Sequence, residues 1–407
     1  MNSQKAPSVP VTQRRVCAAC GDPNLEEVIS LPHLPLTGIF VLPEERSDYR
    51  AFDQALMRCT ACGHGQLRDT ISPTYLYQDT YTHRSSLSPI SRRGNDFFLG
   101  FVQEVIGDRN FDCIAEIGCN DLYLLKKLAG RGKNRVGFDP IWKDHSPDSA
   151  DSIDVHGKYV EEIEPIADLP VRPDLVLSAH TFEHVDNPLE SLRGTYGRAQ
   201  PGALFVLEIP SLETLLTIGR FDQIFHQHLN YFSINSLRRM IEELGGEFIA
   251  HRYNYGYWLG TQMVAFRKPQ QGGGDAGDRG KPGPVTRDRI LRGYESYRRS
   301  MDCLNESLGR LTESGAPAIG FGAAQMVPVL AYHMKSDLAN LRFILDDNPD
   351  KKGMTYPSIA TTIDFAPDYK TLSDYAVLIT ALDSARAVAD RLRGLSARYI
   401  VSPQGVF

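Results

Sequence analysis

The stretch Glu116-Ile117-Gly118-Cys119-Asn120-Asp121 decides how the middle of this chain folds. A short apolar run (DCIA) precedes it, and an amphipathic stretch (LYLLKKLAG) follows it. A glycine between a strand and a helix lets the backbone approach a bound ligand closely. The stretch therefore predicts a Rossmann-like strand, turn and helix with a small molecule bound at the turn.

The same alternation of apolar and amphipathic segments continues along the chain. Three further apolar runs (NRVGFDP, DLVLSAH and ALFVLEIP) predict a doubly wound parallel sheet. The segment GEFIAHRYNYGYWLGTQMVAFRK predicts two more strands joined by an aromatic turn. Asp139 ends the second strand, where a carboxylate can bind both hydroxyl groups of a ribose. An NAD site is the alternative, but only one glycine of the GxGxxG fingerprint is present.

Four cysteines nearer the N-terminus form two pairs, Cys17-Ala-Ala-Cys20 and Cys59-Thr-Ala-Cys62. A glycine follows each pair and permits the tight turn that points the thiolates inward. Four thiolates close a tetrahedral site, so a structural zinc ion with these four ligands is predicted. Two unrelated pairs, or a redox pair, are the alternative. We expect His64 to be only a neighbour of the metal.

Composition divides the chain into five predicted segments, and the whole is of the α/β class. The clearest boundary is a stretch rich in glycine, proline and charge that follows the last strand of the core. The segments are 1–13 (disordered tail), 14–75 (zinc-binding domain), 76–268 (Rossmann-like core), 269–287 (linker) and 288–407 (a second Rossmann-like domain).

The bulk properties exclude several classes of function. The 407 residues carry a net charge of −6, which argues against a nucleic-acid partner. No run approaches the roughly 20 apolar residues that span a bilayer, and the first residues lack the apolar core of a signal peptide. Cysteines in CxxC pairs fit a reducing compartment. We therefore expect a cytoplasmic protein without a membrane partner.

Two histidine clusters follow the fourth and fifth strands of the core. The first is His180-Thr-Phe-Glu-His184, and the second contains His226-Gln-His228. Ligands of doubly wound sheets bind at the carboxyl ends of the strands, so both clusters are expected at the ligand pocket. A neutral imidazole can remove a proton next to a carbonyl group at physiological pH. The alternatives are that His184 only orders a loop and that His226 and His228 bind a metal.

The order of these motifs resembles the zinc-containing sugar-nucleotide C-methyltransferases of the tetronitrose and mycarose type. The resemblance runs from Cys17 to the C-terminal GFGAA and DDNPDKKG motifs. It implies a class I methyltransferase core, S-adenosylmethionine as cofactor, a structural Zn²⁺ and a C-terminal substrate domain. It also implies methylation of C3 of a nucleotide-linked 4-keto-6-deoxy sugar through an enediolate.

The resemblance assigns roles to individual residues. The residues expected to bind the cofactor are Glu116, Gly118, Asn120, Asp121 and Asp139, with His180 beside them. The expected catalytic residues are His228 as the general base, with His184, His226 and Tyr81. Tyr81 and His83 lie in the segment that corresponds to the tyrosine-rich part of the family's sugar site.

The chain departs from the family pattern at the proposed base. The family has Tyr-His-Glu-His where this chain has Phe225-His226-Gln227-His228, so a phenol and a carboxylate are missing. Leu122 replaces a glycine, and Gln325-Met326 replaces an Ala-Lys pair. These changes leave two alternatives to C-methylation: a sugar O-methyltransferase on the same scaffold, or a protein with altered chemistry or a non-catalytic binding role.

Overall fold

A computed structural model describes residues 9–76, 86, 89–145, 152–162, 169–258, 260–270 and 285–403. The chain forms two compact units that interleave along the sequence. The first unit comprises Met1–Val28, Leu56–Ile218 and Gln227–Arg287, and the second comprises Ile29–Ala55, Gly219–His226 and Asp288–Phe407. The predicted domain boundaries and the role of residues 288–407 as a substrate domain stay predictions. Most of the predicted linker lies outside the described residues.

The strands are, in chain order, β1 (Val11–Gln13), β2 (Leu25–Leu34), β3 (Phe52–Cys59), β4 (Gly65–Leu67), β5 (Asp69–Ile71), β6 (Phe111–Ile117), β7 (Gly132–Phe138), β8 (Asp154–His156), β9 (Leu175–Ala179), β10 (Leu204–Pro210), β11 (Asn230–Tyr231), β12 (Glu247–Asn254), β13 (Thr261–Arg267), β14 (Ala318–Phe321), β15 (Leu341–Asp346), β16 (Ile363–Phe365), β17 (Ala376–Ile379) and β18 (Tyr399–Val401).

The α-helices are α1 (Pro73–Leu76), α2 (Pro89–Ile106), α3 (Tyr123–Lys127), α4 (Pro188–Arg198), α5 (Leu212–Ile218), α6 (Ile234–Glu243), α7 (Arg287–Glu313), α8 (Val327–His333) and α9 (Ala385–Gly394). Among the described residues, no helix is both long enough and apolar enough to cross a membrane.

A seven-stranded sheet forms the centre of the first unit, in the order β12-β13-β10-β9-β6-β7-β8. The five strands from β10 to β8 are parallel. Strand β13 runs antiparallel to both β10 and β12. The central strands are buried on both faces, as parallel strands covered by helices must be. The predicted doubly wound sheet, with its final pair of strands, is confirmed.

Each face of this sheet packs against its own apolar cluster. One cluster includes Phe98 and Val102 of α2 together with Leu124 and Leu125 of α3. The other cluster includes residues of α4 and α6 and also contains three of the four paired cysteines. The predicted zinc site is therefore continuous with the core on that face of the sheet.

Two smaller sheets lie near the cysteine pairs. Strands β1 and β5 pair antiparallel, and the other sheet has the order β11-β4-β3-β2. The short strand β4 follows the second cysteine pair and pairs with β11, so the segment after His228 joins this sheet. The sheet thus connects the cysteine pairs to the chain that follows the second histidine cluster.

The second unit contains a five-stranded sheet in the order β16-β15-β14-β17-β18. All of its strand pairs are parallel. The long helix α7 buries Ile290, Tyr297, Met301, Leu304 and Leu308, as the three- and four-residue spacing of its apolar residues predicts. The predicted second Rossmann-like domain is therefore confirmed in its architecture.

A buried ion pair holds the segment Gly219–His226 in the second unit. Nε and Nη2 of Arg220 each donate to Asp222 at 2.8 Å, and Nη2 also donates to Asp383 at 2.9 Å. The side chains of Arg220 and Asp222 are 2% and 0% exposed, so neither charge is solvated by water. Phe221 between them packs against the rings of Tyr294 and Tyr297 on α7. The pair therefore sets the conformation of this segment from inside the unit.

We expect Arg220→Ala to lower the free energy of unfolding by about 3–5 kcal/mol, because it leaves the buried Asp222 carboxylate without a counter-charge. The matched control is Arg310→Ala on α7, since the Arg310 side chain is 80% exposed and lies 3.8 Å from Glu306. Loss of such an exposed pair costs less than about 1 kcal/mol. Urea denaturation measures both variants, and equal midpoints for Arg220→Ala and Arg310→Ala would contradict the assignment.

Candidate active site

The turn after β6 accepts only glycine at position 118. Gly118 has φ +74°, and a Cβ atom on it would lie 1.9 Å from Oγ1 of Thr181. The backbone N–H groups of Gly118 and Cys119 both donate to the carbonyl of Phe138, at 2.8 and 3.2 Å. The turn is therefore held between the ends of β7 and β9, by the Phe138 carbonyl on one side and Thr181 on the other.

Asp139 ties this turn to the end of β7. Its Oδ2 accepts from the backbone N–H of Asn120 at 2.9 Å, and its Oδ1 accepts from the N–H of Ile141 at 3.0 Å. Nε1 of Trp142 donates to the Asn120 carbonyl at 2.6 Å. The Asp139 carboxylate thus stabilises the backbone of this turn, a role that the sequence did not predict. Its predicted contact with a ribose stays a prediction.

Leu122 stands where the family has a glycine, and the structure shows why glycine suits that position. Its φ is +68°, and Asn120 two residues earlier has φ +42°. Left-handed backbone costs a residue with a side chain roughly 1–2 kcal/mol. The chain thus keeps the backbone of a glycine-rich turn while carrying an asparagine and a leucine in it.

Two acidic side chains at the turn fit a cationic ligand. Oε2 of Glu116 and Oδ1 of Asp121 are buried without a hydrogen-bond partner. Burial, together with the charge of Asp139, raises the pKa of Glu116 well above its usual value. The other oxygen of Asp121, Oδ2, accepts from the N–H of Ser86 at 2.8 Å. Such unsatisfied acceptors suit S-adenosylmethionine, which carries a sulfonium and an ammonium group.

The segment after β9 lies directly against this turn. Oγ1 of Thr181 donates to the carbonyl of Ile117 at 3.2 Å. His180 has φ +54°, and its ring meets the ring of Trp258 edge-on, with centroids 4.3 Å apart. Trp258 in turn packs against α2, where a Cβ on Gly94 would lie 2.2 Å from its ring. The predicted position of His180 beside the cofactor turn is thus what the structure shows, while its contact with the cofactor stays a prediction.

Four side chains, His180, Glu183, His184 and His228, form an imidazole–carboxylate cluster. Nδ1 of His180 lies 3.5 Å from Oε1 of Glu183, and Nε2 of His184 lies 3.9 Å from the same oxygen. The rings of His184 and His228 have centroids 4.9 Å apart. One ligand atom each from Glu183, His184 and His228 lies within 4.8 Å of the others. The structure therefore brings the two predicted histidine clusters together through His184 and His228.

A hydrogen bond determines the tautomer of His184. Its Nδ1 lies 2.8 Å from the carbonyl oxygen of Gln227. A carbonyl can only accept, so Nδ1 carries a hydrogen and Nε2 is the atom turned to Glu183. The same bond holds the loop at Gln227, which is the alternative role that the sequence left open for His184.

Burial and the contacts among the four side chains determine the protonation states of Glu183 and His228. The Glu183 side chain is 1% exposed. Burial alone raises its pKa, but the hydrogen bond with His180 and the charges of the neighbouring imidazoles outweigh burial and lower the pKa to about 2. Burial, followed by the charge of His184, lowers the pKa of His228 to about 3. At neutral pH the cluster thus holds an ionised carboxylate beside a neutral His228.

His226 does not join this cluster in the described structure. Its Nε2 donates to the carbonyl of Leu34 at 3.0 Å, and its ring meets the edge of Phe52. A turn at His226 and Gln227 separates it from His228 along the chain. Its catalytic role stays a prediction without structural support. Tyr81 and His83 lie outside the described residues.

Sequence reasoning missed two buried carboxylates. It concluded that replacing the family's glutamate with Gln227 removes the supporting carboxylate, whereas Glu183 places one next to His184 and His228. Glu208, at the end of β10, accepts from Thr261 Oγ1 at 2.5 Å and from Asn254 Nδ2 at 3.1 Å. The signal for Glu208 was available, because an acidic residue inside a fully apolar strand requires a partner or a function.

The four paired cysteines form the predicted metal site. Sγ of Cys17 lies 3.6 Å from that of Cys62, and Sγ of Cys20 lies 3.7 Å from that of Cys59. A tetrahedral zinc ion with bonds of about 2.3 Å requires its sulfur atoms about 3.8 Å apart. The cysteines are all free of disulfides, and all four sulfur atoms lie within 4.8 Å of one another. The donor set fits Zn²⁺ without any movement of the backbone.

Comparison with known proteins agrees with this arrangement. Residues 90–251 match a family model described as "Methyltransferase domain", and residues 17–77 match one described as "Putative zinc binding domain". The chain is 28% identical over 239 residues to the C-methyltransferase NovU of Streptomyces niveus, which covers 56% of this chain and 55% of NovU. The chain contains a methyltransferase domain and a zinc-binding domain. The methyltransferase core and the zinc-binding domain that the order of motifs predicts are thereby confirmed, as are S-adenosylmethionine and a structural zinc ion as their cofactors.

Other relatives of this methyltransferase cover smaller parts of it. The ubiquinone biosynthesis O-methyltransferase of Bordetella parapertussis is 28% identical over 114 residues, which is 26% of this chain and 46% of that enzyme. The chain thus spans about half the length of the curated relatives it matches. Among solved structures, the complex of the N-methyltransferase NodS of Bradyrhizobium japonicum with S-adenosyl-L-homocysteine is 14% identical, with a TM-score of 0.34. That alignment covers 45% of this chain and 89% of NodS.

We expect Gly118→Ala to weaken the binding of S-adenosylhomocysteine at least tenfold, because the new methyl group meets Thr181 and forces the turn apart. Gly107→Ala is the matched control, since Gly107 also has a positive φ of +57° but has no atom within 4 Å of its Cβ position. Isothermal titration calorimetry measures both affinities. A folded Gly118→Ala variant that binds as the parent does would show that the turn is not the cofactor site.

We expect Cys20→Ser and Cys59→Ser each to lose the zinc ion and to lower the melting temperature, because folding free energy of a small metal domain comes from the metal. Cys303→Ser is the control, since Cys303 is an exposed cysteine on α7. Elemental analysis after gel filtration should find one zinc per chain in the control and less than a tenth of that in the other two variants. Equal zinc content in all three would refute the assignment.

Proposed function

We propose that this methyltransferase transfers the methyl group of S-adenosylmethionine to a carbon atom of a nucleotide-activated 4-keto-6-deoxy sugar, through an enolate. The observation that carries the proposal is the imidazole–carboxylate cluster beside the cofactor turn. Support comes also from NovU, whose name describes a C-methyltransferase.

Carbon methylation requires a group that removes a proton from the carbon next to a carbonyl. A neutral imidazole is a suitable acceptor for that proton, and an ionised carboxylate beside it stabilises the imidazolium that forms. The cluster contains both, with Glu183 taking the place of the carboxylate lost at Gln227. The assignment of the proton to His228 comes from sequence and stays a prediction.

The cofactor, when bound at the turn after β6, supplies an electrophilic methyl group. The protein positions the cofactor and the acceptor so that the methyl group faces the acceptor atom. Gly118 lets the cofactor approach the backbone, and Thr181 connects that turn to the segment that bears His180 and His184. Positioning of this kind is a large part of catalysis between two bound molecules.

The four thiolates of the zinc site also indicate the cellular compartment of the protein. Zinc thiolate sites persist in reducing compartments, where cysteines do not form disulfides. We infer a cytoplasmic location from the four free cysteines of the zinc site.

We expect the protein, incubated with S-adenosylmethionine and a dTDP-linked 4-keto-6-deoxy sugar, to give a product heavier by one methyl group. Nuclear magnetic resonance should show that methyl on carbon. Gly118→Ala is the negative control, because its methyl group forces apart the turn and the Thr181 segment and should therefore abolish methyl transfer.

Three other results are informative. An O-methyl signal from a hydroxyl sugar would assign the chain to oxygen methylation, which needs no enolate. Methylation of GDP-, UDP- or CDP-linked sugars alone would replace the nucleotide in the proposal. Tight cofactor binding with no methylated product from any of these acceptors would replace catalysis with a binding role.

A further inference from the structure

We propose that Arg14 and Asn230 are positioning residues for the reaction, and that together they hold His228 against the rest of the imidazole–carboxylate cluster. Neither residue belongs to the cluster itself. Arg14 lies three residues before Cys17, so the segment that leads into the zinc site takes part in building the candidate active site. This inference rests on the proposed function, because the position of His228 affects the reaction only where His228 accepts the proton.

The chain that follows His228 has little regular structure of its own. Strand β11 contains only Asn230 and Tyr231, which pair with β4. Strands usually contain roughly 5–6 residues, so this short strand supplies few of the hydrogen bonds that fix a chain. One further backbone bond connects the chain to the cluster, because the N–H of Leu229 donates to the carbonyl of Glu183 at 2.7 Å. Side chains must therefore supply the remaining bonds.

The Asn230 amide supplies two of them. Its side chain is buried, and Nδ2 donates to the carbonyls of Phe182 and Val185 at 3.1 and 2.6 Å. These two carbonyls flank Glu183 and His184 in the sequence. The amide therefore ties the chain after the second histidine cluster to the turn that carries both of those side chains.

The oxygen of the same amide is also fully used. Oδ1 of Asn230 accepts from Nη2 of Arg14 at 3.0 Å and lies 3.3 Å from Nε2 of His64. A guanidinium group can only donate, so the amide oxygen must face Arg14, and Nε2 of His64 then donates to it as well. Two N–H groups and two lone pairs thus all have partners. Aspartate would offer acceptors alone, and leucine neither donor nor acceptor.

The Arg14 guanidinium spans the same two segments. Nη1 donates to the carbonyl of Leu229 at 2.8 Å, and Nη2 donates to the carbonyl of Asp186 at 2.7 Å. Nε lies 3.3 Å from Oδ1 of Asp186, and the Arg14 side chain is 6% exposed. The planar guanidinium presents its donors in a rigid fork, which an ammonium group lacks. Arg14 therefore fixes the spacing between the segment after His184 and the segment after His228.

This spacing determines how the two imidazoles of the cluster meet. Nδ1 of His184 donates to the carbonyl of Gln227, the residue before His228, and the two rings have centroids 4.9 Å apart. Loss of either positioning residue leaves these rings in place but removes the bonds that fix their separation. Displacement of a catalytic group by about 1 Å can lower a rate about a hundredfold. The two residues thus act on the reaction through His228.

We expect Asn230→Ala and Arg14→Ala each to lower kcat about a hundredfold, because His228 is displaced from the acceptor. Affinity for S-adenosylhomocysteine and zinc content should stay unchanged, which shows that both variants fold. The controls are Arg15→Ala, an exposed neighbour of Arg14, and Thr195→Ala, a buried hydroxyl whose bond to the Ser191 carbonyl stays within α4. Both controls should keep the parental kcat. A folded Asn230→Ala variant with the parental kcat would overturn the proposal.

Rescue of kcat separates positioning from a general loss of stability. Methylguanidine at millimolar concentration should restore part of the kcat of Arg14→Ala, because it supplies the missing fork, and should leave Asn230→Ala unchanged. Arg14→Lys keeps a positive charge without the fork and should lose activity as Arg14→Ala does. A fully active Arg14→Lys variant would refute the role of the fork. Asn230→Asp and Arg14→Lys carry the same test where an alanine variant does not fold.

Nuclear magnetic resonance of the histidine rings tests the positioning without any acceptor. The ring N–H of His184 that donates to Gln227 should exchange slowly with water in the parent and in both controls. It should exchange rapidly, or give no signal, in the Asn230 and Arg14 variants. A signal that persists in these variants would refute the positioning even where the proposed function holds. If the parent methylates no acceptor but the variants lose this signal, the proposed function fails and the positioning of the cluster stands.

Discussion

The close approach of Gly118 to Thr181 is the constraint on which the rest of the site depends. No atom larger than hydrogen fits on Gly118, so the chain after β9 lies directly against the turn after β6. Ser178 and Thr181 both donate to the carbonyl of Ile117 and hold this contact from the β9 side. The segment that bears His180, Glu183 and His184 is thereby placed beside the turn after β6. One glycine thus determines how closely that segment approaches the turn.

Four buried carboxyl groups of this chain are stabilised in different ways. Asp222 is neutralised by Arg220, and Glu208 accepts hydrogen bonds from Thr261 and Asn254. Glu116 is driven toward its protonated form by burial. Glu183 stays ionised against burial only because imidazoles surround it. The acids with unsatisfied oxygens in the first unit lie along the carboxyl edge of the parallel strands, where ligands of this fold bind.

The zinc site contributes to this arrangement through the core and the small sheet. Three of its cysteines belong to the apolar cluster on one face of the central sheet. Strand β4, which follows the second cysteine pair, pairs with β11 immediately after His228. The zinc site and the chain that follows His228 are thus joined through one small sheet.

The spacing of residues along the sequence determined a large part of the fold, because the relevant interactions are local or repeated. The Cys-x-x-Cys pairs specify a zinc site by themselves, and the alternation of apolar and amphipathic runs specifies a doubly wound sheet. The glycine turn and the long helix α7 follow in the same way, as does the position of His180 and His184 directly after β9. Only the tertiary structure decided which side chains meet. His226 and His228 are two residues apart, yet a turn between them sends only His228 to the cluster. The carboxylate of that cluster comes from Glu183, more than forty residues away on another segment, in place of the one lost at Gln227. Such pairings depend on the packing of separate strands, and no local pattern encodes the distance between them.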